Sequence, residues 1–578
     1  MTKIESNDGG LAELEAIRRR LAELESSQGF GLVWRSIPEA VESLLRDEVP
    51  VLIPEPALSV VGKIPSDQSH VLIEGDNLHA LHVLQATHLG AVDVIYIDPP
   101  YNRGKDLIYN DSMIDKADPF RHSKWLSFMA KRLELAWRLL SESGVMFISI
   151  DDNSQAQLKL LCDKLFGPDC FVANFVWVKK RKASNLDKSV RSITEYVLCY
   201  AKSDSALIHP SDIVEADKPY PFYNSGNKRK TLDFPKGMRF SSIENQTIKP
   251  QVFSAKKTHV RLMNRVEIKN GVAQGPFTLE GEWRYSQDAL NEMIRSGEEI
   301  IFKGVDFKPY FINKSTDRFK MMKTLLSMET YDIGTNEDGN QQIFDLIGNN
   351  VFEYPKPLSL ITNLLSAVST KSPSPVILDF FAGSGTTLHA VAQLNAADNG
   401  TRQCILVTNN ENEICRDITI PRVKAVLTGK WADKSKHDAL PGSMTFFTTG
   451  FVKRSKSPDR MRTEIAKHTV DLIAVKEGAG TSVSRTVEFA VLHGLNKTVA
   501  VAPSLDPDHP KLFANAEKKA RDGDRKIVYL FTWSDQGVEA EFVAMWPGWE
   551  VEPLPAEMLS AMRRNAPQPK LFDTGDKK

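Results

Sequence analysis

The sequence predicts an α/β protein: a doubly wound, parallel sheet split by a large insert and followed by a smaller mixed α/β region. Three observations lead there. Between residues 71 and 150, short apolar strands alternate with amphipathic helices. The same grammar returns near residue 352, while the stretch from about 203 to 349 loses its periodicity and gathers basic residues. Apolar runs of strand length separated by helical patterns are what a sheet covered by helices on both faces demands.

A chain of 578 residues is too long for one ordinary core and predicts three or four compact units. Its 42% hydrophobic and 25% charged residues match soluble globular protein. The longest apolar runs, such as Val145-Met146-Phe147-Ile148, fall far short of the roughly 20 residues that cross a bilayer, so no membrane span is expected. Met1-Thr2-Lys3-Ile4-Glu5 lacks an apolar signal core and the five cysteines are scattered, which predicts a reducing cytoplasm. Without a Cys-x-x-Cys pair, a zinc site is not expected. The net charge of −1 exerts no global pull on nucleic acid, so any DNA binding has to rest on a local positive field.

Residues 11–25 read as a helix with Leu14, Ile17, Leu21 and Leu24 on one seam, two heptads that suit either a dimer contact or packing on the protein's own body. Val71-Leu72-Ile73 forms a strand that runs into Gly75-Asp76-Asn77, a helix over 78–88, and the apolar strand 92–97. A polar loop, a long helix over 125–140 and a strand over 145–150 follow. In the insert, Lys228-Arg229-Lys230, Lys236, Arg239, Lys256-Lys257, Arg261 and Arg265 are interleaved with Tyr220, Phe222, Tyr223, Phe240 and Trp283. Pro375-Val376-Ile377-Leu378-Asp379 then leads through a Gly-rich turn into a helix reaching Leu394 and a strand over 403–408. Beyond 430, a Lys/Arg/Ser-rich connector precedes strands predicted over 526–532 and 541–546. The expected division is a helix over 1–30, a first α/β part over 31–202, the insert over 203–349, a second part over 350–430 and a C-terminal domain over 431–578.

Two motifs carry chemistry. Asp98-Pro99-Pro100-Tyr101 follows the strand 92–97, at the end of the sheet where open parallel sheets bind ligands. An amino group on an aromatic base is a poor nucleophile because its lone pair is delocalised into the ring. The Asp98 carboxylate and the Pro99 carbonyl could accept its two N–H bonds and favour a pyramidal nitrogen. Pro99 and Pro100 fix φ and bring no N–H to satisfy, so the loop is preorganised, and Tyr101 offers a flat face to a base taken out of the stack. The bland alternative is a Pro-Pro turn with a solvated acid. In Asp379-Phe380-Phe381-Ala382-Gly383-Ser384-Gly385-Thr386-Thr387, Gly383 and Gly385 let backbone approach a ligand. The spacing suits no phosphate cradle, and an acid before the turn suits a cationic amine. Asp76 is able to accept from a cofactor's adenine amino group, to cap the helix behind it, or both.

Taken in order, these motifs resemble the amino-methyltransferases of DNA in their beta arrangement, where Asp-Pro-Pro-Tyr precedes the insert and the Gly-rich motif follows it. The likeness runs from about 31 to 430 and includes Trp125-Leu126-Ser127-Phe128-Met129, Glu195-Tyr196-Val197-Leu198-Cys199-Tyr200 and Phe352-Glu353-Tyr354-Pro355-Lys356-Pro357. The resemblance implies a permuted, Rossmann-like S-adenosylmethionine-dependent methyltransferase sheet, an inserted target recognition domain over 203–349 whose basic and aromatic residues fit phosphate contact and base reading, and a small C-terminal α/β domain. By position, Asp98, Pro99, Pro100 and Tyr101 act on the base. Asp76, Phe352, Lys356, Asp379, Phe381, Gly383, Gly385 and Thr386 face the cofactor. Where relatives end the strand matching 403–408 with an acid for the ribose, this chain has Thr408-Asn409-Asn410-Glu411, which leaves Asn410 or Glu411 for that role.

Asp at the head of the first motif leans toward N6 of adenine over N4 of cytosine. The layout looks most like the modification subunit of type III restriction-modification systems, which implies double-stranded DNA as substrate, a homodimer and a helicase-nuclease partner on a second chain. Rival readings are a recognition subunit with dispensable catalysis, which intact Asp98, Tyr101 and Asp379 argue against, and an RNA or protein-amide substrate.

Overall fold

The computed structural model describes residues 34–558 except 104–107, 110–111, 114–116, 182–189, 191, 205, 209–218, 256–257, 304–305, 313–321, 349–354, 370–371, 373, 434–436, 456, 487–488, 505–506, 533–537, 539 and 557. The helix predicted over 11–25 lies outside the described residues, as do Phe352 and Lys256-Lys257. The chain divides into two compact units, residues 1–208 with 323–578, and His209–Met322.

In the first unit the strands of the main sheet are β1 (Glu48–Pro54), β2 (Ile64–Glu74), β3 (Val92–Ile97), β4 (Leu140–Ile150), β5 (Phe171–Val178), β6 (Thr194–Ala201), β7 (Leu325–Leu326), β8 (Val376–Asp379), β9 (Gln403–Thr408) and β10 (Pro441–Lys453). They form one ten-stranded sheet in the order β1-β10-β2-β9-β8-β3-β4-β6-β5-β7. From β10 through β4 every neighbouring pair is parallel. Strand β1 closes one side antiparallel to β10, and β6 and β5 continue antiparallel beyond β4. Strands β8 and β9, which follow the insert, thus lie between β2 and β3, which precede it. This is the permutation that the resemblance implies.

The apolar character of these strands explains their place. All six residues of β3 are buried, and its one acid, Asp93, is satisfied by the amide of Val376 at 2.9 Å. Helix α1 (Asn77–His88) starts where the Asp76 carboxylate accepts the Leu78 amide at 2.8 Å. Helix α2 (Arg121–Leu139) buries Trp125, Met129, Leu133 and Ala136, spaced three and four apart. Helix α3 (Thr386–Asp398) begins at Gly385, and α4 (Ile420–Thr428) follows β9 through a π-helical turn.

The division expected at 430 runs through this sheet. Strand β10 pairs with both β1 and β2, and α5 (Pro458–Glu477) packs on β1 and α1. Beyond it, a five-stranded sheet runs from Thr481–Arg485 to Glu550–Pro553 and includes Arg525–Leu530. The strand predicted over 541–546 is instead the helix Ala540–Ala544. Phe542 and Trp546, four apart, both reach His509: Phe542 stacks on its ring at 4.8 Å and Trp546 donates its indole N–H to it at 3.2 Å. That spacing belongs to a helix and not to a strand. No helix among the described residues is long and apolar enough to cross a membrane.

The second unit holds a seven-stranded and a four-stranded sheet and the helix Gln287–Arg295. It is narrower than the expected insert, because residues 323–348 join the first unit. Its core is aromatic: Phe222, Tyr223, Phe234, Phe240, Phe277, Trp283, Phe302 and Phe307 are buried together. Phe222, Tyr223, Phe240 and Trp283, read from the sequence as base-reading side chains, are therefore core residues. Lys228, Arg229, Lys236, Arg239, Arg261 and Arg265 remain exposed.

Candidate active site

Asp98 stands where β3 leaves the sheet, and both of its oxygens are engaged. Tyr101 donates its hydroxyl to Oδ1 at 2.7 Å, and Lys356 donates Nζ to Oδ2 at 2.6 Å. Burial, with Asp98 and Glu195 adding to it, pushes the Tyr101 phenol well above its ordinary range, so it stays a donor. Its ring is only 7% exposed and lies under the Arg103 guanidinium, 4.8 Å from the centroid. In this state Tyr101 is a strut for Asp98 and not an open stacking face.

The loop behind Asp98 is braced from helix α2, where the Trp125 indole donates to the Pro100 carbonyl at 2.7 Å. Asn102 next to it is left-handed, with φ of 62°, and its amide donates to Ser154 Oγ at 3.4 Å.

Glu195 on β6 links this group to a wider network. Its Oε2 lies 3.3 Å from Tyr101 Oη and 3.7 Å from Lys356 Nζ. Its Oε1 takes Lys179 at 3.1 Å and Arg103 at 3.0 Å. Arg103 also pairs with Asp151 at 2.7 Å. Burial alone would raise the Glu195 carboxyl, but Lys356, Lys179 and Arg103 outweigh it and hold it below its ordinary value. A cleft of about 280 Å³ opens here, lined by Arg103, Asp151, Lys179, Lys180, Glu195 and Asn336 among others.

The second motif is one strand away, since β8 pairs with β3 through Ile377 opposite Val94 and Leu378 opposite Ile95. Asp379 is buried at the end of β8, taking the Phe381 amide at 3.0 Å and the Thr387 hydroxyl at 2.5 Å. Burial pushes its carboxyl up to about 7. In the turn that follows, Gly383 and Gly385 adopt φ of 49° and 75°, a region costly for any residue with a Cβ. A side chain at Gly385 would also meet Thr419 Cγ2 at 3.1 Å. The Ala382 amide donates to the Val407 carbonyl, and the Asn77 side chain to the Phe380 carbonyl, so the turn is tied to both neighbouring segments. Arg422, wholly buried on α4, donates to Thr386 at 2.7 Å and Ser384 at 3.1 Å.

The DNA methylase family matches residues 92–419, more than half of the sequence. The chain belongs to that family. Among its relatives, the Mod subunit of the type III restriction-modification enzyme StyLTI of Salmonella typhimurium is 32% identical over 408 residues, 66% of this chain and 59% of that protein. The type II methyltransferase M.KpnI of Klebsiella pneumoniae is 33% identical over 364 residues, 61% of this chain and 83% of its own length. The EcoPI Mod subunit of Escherichia phage P1 is 31% identical over 445 residues, 69% of this chain and 66% of that one. The chain thus spans less than two thirds of the two Mod subunits.

In this family member the residues singled out from the sequence separate by position. Asp98, Pro99, Pro100 and Tyr101 fall at the end of β3; Asp379, Phe381, Gly383, Gly385 and Thr386 fall at the end of β8. Lys356, expected on the cofactor side, sits on Asp98. Asp76 caps α1 and lies 3.3 Å from Arg132. Asn410, suggested for the ribose, has its side chain committed locally: its oxygen accepts the Cys415 and Arg416 amides and its nitrogen donates to Glu413. Glu195, Lys179, Arg103, Trp125 and Arg422 were not read as site residues. A lone acid opening the apolar strand Thr194–Ala201 was the signal for Glu195, since burial of a carboxylate in such a strand calls for cations nearby.

Proposed function

We propose that this chain transfers a methyl group from S-adenosylmethionine to N6 of an adenine flipped out of double-stranded DNA, as the modification and recognition subunit of a restriction-modification system. The observation that carries the reading is the adjacency of β3 and β8, whose carboxyl ends bring Asp98 and the Asp379-to-Thr387 turn side by side. A base acceptor and a cofactor turn on neighbouring parallel strands are what a direct transfer requires.

The residues present fit the cofactor. Asp379 is a buried acid poised near neutrality whose hydrogen-bond donors here, a hydroxyl and an amide, are both neutral. Such a carboxylate suits a ligand bearing positive charge. Asp379, Phe381, Gly383, Gly385 and Thr386 would hold it, with Asp76 toward its adenine. When bound, S-adenosylmethionine supplies an electrophilic methyl group. Asp98 and the Pro99 carbonyl take the two N–H bonds of the base and hold its lone pair toward that methyl. The two prolines and Trp125 keep the acceptors still, and Tyr101 orients the carboxylate. The exposed basic side chains of the second unit fit contacts to DNA phosphates. Likeness to Mod subunits supports a helicase-nuclease partner, and a homodimer is part of the same reading.

Purified protein with labelled S-adenosylmethionine should methylate duplex DNA, and sequencing should place the mark on adenine at one motif. Asp98→Ala should remove transfer and leave cofactor and DNA binding in place. A mark on cytosine N4, or transfer surviving in that variant, would overturn the reading.

A further inference from the structure

We infer that Glu195 is an exchange acceptor that takes over the donors of Asp98 when the base arrives. This rests on the reading that Asp98 receives the base's amino group. Both Asp98 oxygens are already occupied, Oδ1 by Tyr101 and Oδ2 by Lys356. A carboxylate oxygen can accept two hydrogen bonds, as Glu195 Oε1 does, so an incoming N–H competes with these donors, and the one it displaces in the exchange is the ammonium on Oδ2.

Releasing that ammonium with no second partner would leave a buried charge unpaired, which is strongly unfavourable. Lys356 is 8% exposed and Glu195 only 4%. Glu195 Oε2 stands 3.7 Å from Nζ, so a swing of about 1 Å brings it to hydrogen-bond length. The same oxygen lies 3.3 Å from Tyr101 Oη. Both donors on Asp98 therefore already face one second acceptor.

Glu195 is prepared for that task. Lys356, Lys179 and Arg103 together hold its carboxyl below its ordinary value, and the last two do so from its other oxygen, leaving Oε2 toward the donors of Asp98. Oε2 is left facing the hydroxyl and the ammonium that now serve Asp98. Lys356 remains protonated throughout, and only its partner changes. Glu195 is a positioning residue that acts through Asp98.

Glu195→Gln keeps an acceptor for the Tyr101 hydroxyl but removes the charge that would receive the ammonium. Single-turnover transfer to the mapped site should slow by about 10- to 100-fold, with cofactor affinity changed by no more than about two-fold. With Lys356→Met in the background the ammonium is gone, so adding Glu195→Gln should cost no more than about two-fold. This comparison serves equally where the single variant does not fold. An unaltered rate in Glu195→Gln, or the same loss in both backgrounds, would overturn the exchange. Absence of transfer by the unaltered protein would instead sink the methylation reading beneath it.

Discussion

The Trp125 indole and the Pro100 carbonyl are joined by a 2.7 Å hydrogen bond that ties the second turn of helix α2 to the rigid loop behind Asp98. Pro100 has no amide of its own to anchor the loop, so the brace comes from its carbonyl. Trp125 is wholly buried, and the position of Asp98 is inherited from the helix.

Trp125→Phe keeps most of the volume and loses the donor. Leaving the half-buried Pro100 carbonyl without this donor should lower stability by about 0.5–1.5 kcal/mol. The single-turnover rate should fall by about 10-fold or more, because the acceptors lose their fixed geometry. Thermal unfolding and transfer kinetics measure the two effects, and a rate equal to wild type would show that the brace does not position the acid.

Asp379 predicts a pH dependence. Its carboxyl is raised to about 7 from the ordinary 3.8, so between about pH 4 and 7 the folded chain holds a proton that the unfolded chain has released. Stability of the cofactor-free protein should therefore fall as pH rises through that window, on the order of a few kcal/mol in all. Asp379→Asn should flatten this part of the melting-temperature profile. It should also weaken S-adenosylmethionine binding at pH 8 by about 10-fold or more and remove the gain in affinity expected between pH 6 and 8. Calorimetric titration at several pH values decides it, and an unchanged profile in the variant would count against the assignment.

Arg422 is buried without a carboxylate partner in the hydrogen bonds it makes, and desolvation lowers its guanidinium to about 9. Its NH1 group serves both Thr386 and Ser384. Arg422→Lys keeps a cation but cannot reproduce that planar fork. Cofactor affinity should drop by about 10-fold, the equivalent of one lost charged hydrogen bond, with DNA affinity unaffected in a gel-shift assay.

In the second unit, exposure predicts which residues meet DNA. Replacing Lys236, Arg261 and Arg265 by alanine should weaken binding and reduce the slope of log affinity against log salt by about 2–3, close to 0.9 for each phosphate no longer neutralised. Phe302→Ala should instead destabilise the unit by about 3–5 kcal/mol, as expected of a buried ring. Filter binding across a salt series and thermal unfolding separate the two classes.

The parallel sheet and both motifs were legible because their signals are local. An apolar strand, an acid at its end and a turn that only glycine can make follow one another within a few residues. The Glu195 network was hidden because it depends on pairing: Trp177 opposite Glu195 in the β5–β6 ladder brings Lys179 alongside, and Lys356 comes from beyond the insert. The insert's aromatics were misread although the alternation of the strands around them was visible. In Lys230–Phe234 and Phe277–Gly281, buried Leu232, Phe234, Phe277 and Leu279 recur at every second position, the period of a strand with one face in a core. In the C-terminal region the four-residue spacing of Phe542 and Trp546 was the missed sign of a helix.

Strand β1 has one neighbour in the sheet, and that neighbour is β10. Residues 48–54 leave the ribosome well before their backbone partners at 447–453. During synthesis this segment waits while some four hundred residues follow it. This edge of the sheet is therefore sealed only once β10 has been made, and a product that stops short of β10 leaves β1 without the strand it pairs with.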